Sequence, residues 1–179
     1  MARLFLGFDL PDRVDADLEL TIGGIPGARW QTKDQLHLTL HFLGDVDGGA
    51  RGRLLAALEQ LDAPAFDLRL RGVGVFPPRG PARVLWLGVH DPEPIRVVHQ
   101  RSAKIIDALG LERDRRKYAP HVTLARFDRA PHEAIVHWVR DHALYESEGW
   151  HVDQLSLYSS VLGRGGPKYR IEGEVALRD

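Results

Sequence analysis

The chain has 179 residues, 44 % of them hydrophobic and 27 % charged, with no cysteine and a formal net charge of −1. Missing cysteine removes disulfides, thiol nucleophiles and cysteine-ligated zinc together, and no apolar run reaches the roughly 18 residues of a membrane helix. A near-neutral balance also argues against coating long nucleic acid, which takes a strong basic bias. Any nucleic acid is expected to be held at an end or at one nucleotide.

This length fits one domain over 1–179, or two intimately packed lobes, with roughly 70 % of the unfolded surface buried. Met1–Asp9 turns acidic too soon for a signal peptide, so it reads as a first strand, with cytoplasmic residence the simplest expectation. Arg3–Phe8 forms that strand, and Pro11 opens a helix with Val14, Leu18 and Ile22 on one stripe. Gly23-Gly24 and Pro26-Gly27 end it. Leu36–Leu43 alternates as a strand, and a helix near Ala50–Leu61 turns Leu54, Leu58 and Leu61 inward. Phe66, Leu68 and Leu70 alternate with Asp67, Arg69 and Arg71 as a half-exposed strand.

Val84–Val89 is a continuous apolar run, hence a buried strand. Glu93–Leu109 is a helix that Asp91 can cap and Gly110 can end, with Ile95, Val98, Ile105 and Leu109 on one face. His121–Phe127 is a strand and Pro131–His142 a helix with Ile135, Trp138 and Val139 inward. Strands near His151–Val161 and Lys168–Leu177 close the chain around the turn Gly163–Gly166. In the last strand Tyr169, Ile171, Val175 and Leu177 are expected to share a face. The order strand–helix–strand–helix–strand thus occurs twice, at an offset of about 84 residues (121 − 37). We read pseudo-repeat halves of roughly 1–80 and 81–179: an α+β, bilobal protein whose pseudo-symmetric lobes, with antiparallel-rich sheets and outer helices, flank a central cleft.

Two stretches carry chemistry: Leu36-His37-Leu38-Thr39-Leu40 and Pro120-His121-Val122-Thr123-Leu124. The strand period of two sends His and Thr to one face and the aliphatics to the other. Read singly, each is an ordinary solvated or backbone-bonded histidine. In matching places of a repeated pattern, the two strands offer two imidazoles and two hydroxyls to one ligand. Imidazole titrates near neutrality, so one can take a proton while the other gives one. Threonine hydroxyls with stiff χ1 can hold phosphate oxygens.

A metal is not expected, because His37 and His41 would lie about 13 Å apart along an extended strand and neither motif contains an acidic residue. His41 is expected at the rim, on the face of His37 and Thr39. Strict alternation turns Phe42 and Arg126 away from the histidines unless a bulge or bend intervenes. Trp30 and Phe42 are aromatic enough to stack on a base, but core packing is the expected role for each. Arg113, Arg115, Arg116, Lys117 and Arg129 near the second motif read as a solvated basic run. A Walker loop, a dinucleotide fingerprint and a serine elbow are absent, and the glycine-rich turn Gly163–Gly166, with Arg164 and Lys168 able to touch a phosphate, is expected to be a plain hairpin turn.

These motifs resemble the 2H phosphoesterases, named for paired His-x-Thr-x segments, here His37-Leu38-Thr39-Leu40 and His121-Val122-Thr123-Leu124. Within that superfamily the chain looks most like the RNA 2′,3′-cyclic phosphodiesterases, long called 2′-5′ RNA ligases. The likeness runs from Arg3–Pro11 through Ala28–Trp30, Phe42–Gly44, Val84–Gly88 and Pro120–Arg126 to Gly165–Tyr169. It implies two antiparallel-rich sheets around a cleft, and hydrolysis of a 2′,3′-cyclic phosphate on an RNA end or nucleotide to a 2′-phosphate. It further implies His121 as base, His37 as acid, Thr39 and Thr123 on the phosphate with Arg126 helping, and no metal or other cofactor. Ligation is the reverse reaction. Alternatives are a non-catalytic binder of RNA ends, or the same chemistry on another cyclic phosphate or a 2′-5′ oligoadenylate. Monomer is the expected state.

Overall fold

The computed structural model describes residues 2–129 and 131–178. Among them the first half of the chain gives β1 (Ala2–Asp9), α1 (Asp12–Glu19), β2 (Arg29–Trp30), β3 (His37–Val46), α2 (Gly48–Leu58), β4 (Phe66–Leu68) and β5 (Leu70–Phe76). The second half gives β6 (Val84–Val89), α3 (Glu93–Ala108), β7 (Val122–Arg126), α4 (His132–Asp141), β8 (Trp150–Val152), β9 (Gln154–Gly163) and β10 (Gly166–Ala176). No helix among the described residues is long and apolar enough to cross a membrane.

Local signals explain the helix limits. Asp47 Oδ1 accepts from Ala50 N at 2.8 Å and starts α2, a cap of the kind that contributes about 1 kcal/mol. Asp91 Oδ1 accepts from Glu93 N at 3.0 Å, and Gly110 at φ +67° ends α3. The helix α1 stops at Glu19, earlier than the stripe implied, so Ile22 sits in a turn and is 47 % exposed.

A long antiparallel sheet runs β10-β9-β1-β3-β7-β6-β5, with β2 beside β7, and a small sheet pairs β4 with β8. The α+β, two-lobed expectation is met. The lobes nonetheless share one hydrogen-bonded sheet, joined between β3 and β7 by the bridge Leu38↔Val122. Both bridge residues are core, 1 % and 0 % exposed, so apolar burial brings the two motif strands together. Residues 84 apart pair in both sheets: Leu38 with Val122 in the large one, and Asp67 with His151 in the small one. The lobes also trade strands, since β9 pairs with β1 while β5 pairs with β6. The single strand read over Phe66–Arg71 is therefore two, β4 in the small sheet and β5 in the large one.

Bulges decide which side chains face the cleft. In β3, Gly7 pairs with Thr39 and Leu6 with His41, leaving Leu40 as the extra residue. In β7, Trp86 pairs with Thr123 and Leu85 with Ala125, leaving Leu124 extra at the same distance from the histidine. An extra residue reverses the alternation beyond it. Glu172 does the same in β10, between Ile171 and Gly173. Val175 therefore turns into the core while Ile171 stays 47 % exposed, and the single face read for that strand breaks in two.

Candidate active site

His37, Thr39, His121, Thr123 and Arg126 all line one cleft of about 620 Å³ between the lobes. His37 and Thr39 come from β3; His121 immediately precedes β7, which carries Thr123 and Arg126. The antiparallel sense of the Leu38↔Val122 bridge sets His37 towards Thr123 and Thr39 towards His121.

Both imidazoles are fixed in the same way. His37 Nδ1 donates to Gln35 O at 2.7 Å, and His121 Nδ1 donates to Ala119 O at 2.7 Å. A carbonyl only accepts, so Nδ1 carries the hydrogen in each ring and Nε2 keeps its lone pair. Phe5 lies 4.7 Å from His37 and Tyr169 meets it edge-on at 4.9 Å. Phe76 meets His121 edge-on at 5.0 Å. Burial among these rings pushes His37 down to about 4; the Gln35 carbonyl and Asp9 oppose this, while Arg126 and His121 add to it. Burial also lowers His121, with Ala119 O opposing and Arg126 adding. Both rings are therefore neutral near pH 7.

The bulges settle the places of His41, Phe42 and Arg126. His41 is not at the rim; it is 2 % exposed, with Nε2 donating to His99 O and Ser102 Oγ, each at 3.0 Å. Phe42 and Arg126, turned away by strict alternation, both line the cleft because Leu40 and Leu124 are the extra residues. Phe42 is 51 % exposed there and does not pack in the core. Trp30 does pack as expected, its ring 5.8 Å from Trp138.

Sequence reasoning missed the aromatic wall. Tyr118 donates to Thr39 O at 3.0 Å and stacks on His99 at 4.1 Å, tying the segment before His121 to the first motif strand. Its nearness to His121 in the chain was the one available signal. Of the basic run, Arg113 and Arg115 pair with Asp107, and Arg116 pairs with Asp114. Arg116 and Lys117 reach the cleft wall. Among the described residues no group of three His, Asp or Glu could hold a metal ion.

The arrangement can thus take a proton at one Nε2, give one at the other, and hold an anion between two hydroxyls and a guanidinium. The family described as the 2′-5′ RNA ligase superfamily matches residues 26–164. An RNA 2′,3′-cyclic phosphodiesterase of Thermus thermophilus is 36 % identical over 98 % of this chain and 90 % of its own. One of Aeropyrum pernix is 31 % identical over 79 % of this chain and 82 % of its own. Among solved structures, E. coli LigT complexed with 3′-AMP superposes with a TM-score of 0.82 at 25 % identity, covering 99 % of both chains. The protein TT0787 of Thermus thermophilus does so at 0.79 and 28 %, covering 98 % of both. The chain is an enzyme of the 2′-5′ RNA ligase superfamily.

Proposed function

We propose that this protein hydrolyses 2′,3′-cyclic phosphates at RNA ends and on nucleotides, leaving a 2′-phosphate, with every acid, base and phosphate-holding group drawn from its own side chains. His121 Nε2 takes a proton from water as its oxygen attacks phosphorus. The P–O3′ bond breaks, and His37 Nε2 gives its proton to the departing O3′. Thr39, Thr123 and Arg126 hold the non-bridging oxygens, where charge grows in the transition state. A strained cyclic diester brings its own electrophile, so placement and proton transfer supply most of the catalysis.

The observation that carries this reading is the matched pair of Nδ1 hydrogen bonds, to Gln35 O and Ala119 O, which orients two free Nε2 atoms in one cleft. With both rings neutral at rest, the entering phosphate supplies the negative charge that lets His37 hold a proton. Ligation is the reverse step, a 5′-hydroxyl standing in for water.

The test is to incubate the purified protein with a 2′,3′-cyclic nucleotide in EDTA and identify the product isomer. A 2′-phosphate supports the reading. A 3′-phosphate, or saturable binding without turnover of any cyclic phosphate, overturns it.

A further inference from the structure

The two sides of the cleft share a frame but differ in what surrounds each histidine. In one lobe Phe5 pairs with Phe42 on β3 and with Tyr158 on β9. In the other Val84 pairs with Arg126 on β7 and with Phe76 on β5. Tyr158 and Phe76 therefore occupy matching places. Further along, Phe8 pairs with Leu38 and Asp9 with His37. The matching pair is Leu87 with Val122, and the next residue, Gly88, comes at the place opposite His121. A hydroxyl and a carboxylate thus stand on the His37 side, where the His121 side has a bare ring and no side chain.

These two groups are joined. The Tyr158 hydroxyl donates to Asp9 Oδ1. Tyr158 is 4 % exposed and its ring stacks on Phe5 at 4.8 Å and 12°, so the carboxylate is anchored from the core. Phe5 in turn lies against His37. The polar and charged groups that face His37 are Asp9 on β1, Tyr158 on β9, Tyr169 on β10, and Arg126 with His121 from the β7 segment. Asp9 is the carboxylate among them. Among the described residues, Arg126 is the charged side chain that shifts His121, beside the Ala119 carbonyl.

We propose that Asp9, anchored by Tyr158, is the counter-charge that keeps a proton on His37 in the substrate complex and so makes His37, not His121, the proton donor. This rests on the phosphodiesterase reading above. Asp9 touches no reacting atom; it is a positioning residue that acts through His37. After each turnover, the proton on His121 leaves to solvent and His37 regains one, which Asp9 favours.

The pH profile of kcat tests this. A neighbouring opposite charge moves a pKa by about one unit. Asp9→Asn is expected to move the alkaline limb, set by the proton on His37, about one unit lower while the acidic limb stays. Tyr158→Phe frees the carboxylate and is expected to move the same limb the same way by less. A fall in kcat at every pH with both limbs in place, in both variants, marks the pair as merely structural and overturns the proposal.

NMR titration of the His37 ring in protein saturated with inorganic phosphate needs no turnover. A lower His37 midpoint in Asp9→Asn, with His121 unmoved, supports the proposal even if wild type hydrolyses no cyclic phosphate and the functional reading fails. An unchanged midpoint overturns it even if turnover is normal. Should Asp9→Asn fail to fold, Tyr158→Phe decides by the same two readouts.

Discussion

Leu38 and Val122 face each other across the bridge that joins β3 to β7, and each sits between the His and Thr of its own motif. The most buried residues of the two segments therefore aim their most reactive neighbours. Packing and catalysis share one backbone contact, so a variant that removes only an imidazole should leave the contact and the fold intact.

His37→Ala and His121→Ala are each expected to lower kcat for a 2′,3′-cyclic nucleotide by at least about 100-fold, the usual scale of one placed acid or base. Circular dichroism should show both variants folded. Turnover within about threefold of wild type in either one, far short of that scale, rejects its role.

Arg126→Gln is expected to raise KM for the cyclic phosphate and lower kcat/KM by about 10–100-fold, as a charged hydrogen bond to the anion is lost. It should also raise the NMR midpoints of both His37 and His121, whose protonated forms the guanidinium disfavours. A rise in only one of them contradicts the shared cleft.

Gly74 and Gly52 should respond oppositely to alanine. A Cβ at Gly74 would meet the Trp86 ring at 2.3 Å, and Trp86 supports Phe76, which rests edge-on against His121. Gly74→Ala is expected to cost about 1–3 kcal/mol in chemical denaturation and to lower kcat. Gly52 lies inside α2 with nothing within 4 Å of its added Cβ, so Gly52→Ala is expected to stabilise by about 0.5–1 kcal/mol with activity unchanged.

Asp15 is 5 % exposed with Oδ1 unpartnered, and burial pushes its carboxyl up to about 6. The folded state then binds its proton more tightly than the unfolded chain, so stability is full below the unfolded value near 3.8 and falls as pH rises through about 6. Asp15→Asn is expected to raise Tm at pH 8, by a gain on the order of 1–3 kcal/mol, and to lose that gain towards pH 4. Equal gains at both pH values would contradict it. His41, pushed down to about 3 by burial, acts the other way, favouring the fold above pH 6.5 and opposing it in acid.

Much of the frame was legible because apolar periodicity is a local signal: β1, β3, β6, β7 and all four helices lie close to where their patterns put them. The His-x-Thr pairs were legible for the same reason, since two residues on one strand share a face whatever the strand pairs with. What escaped depends on partners. The extra residues Leu40 and Leu124 exist only relative to β1 and β6, so alternation alone sent His41 to the wrong face and left Phe42 and Arg126 dependent on a bulge it could not locate. Phe76 and Tyr169 reach the cleft from segments far from either motif, and Tyr118, close to His121 in the chain, sits outside any alternating pattern. The break between β4 and β5 was hidden because alternation continues unbroken through Arg69 while the strand changes sheets.

The strand trade between the lobes has a mechanical outcome. With β5 seated on β6 and β9 seated on β1, a nick in the Pro77–Arg83 connection would leave two fragments still held together, and separating them would expose on each an unzipped edge that its sibling fills. Mixed together, they should reassemble as a noncovalent heterodimer; expressed singly, each should aggregate.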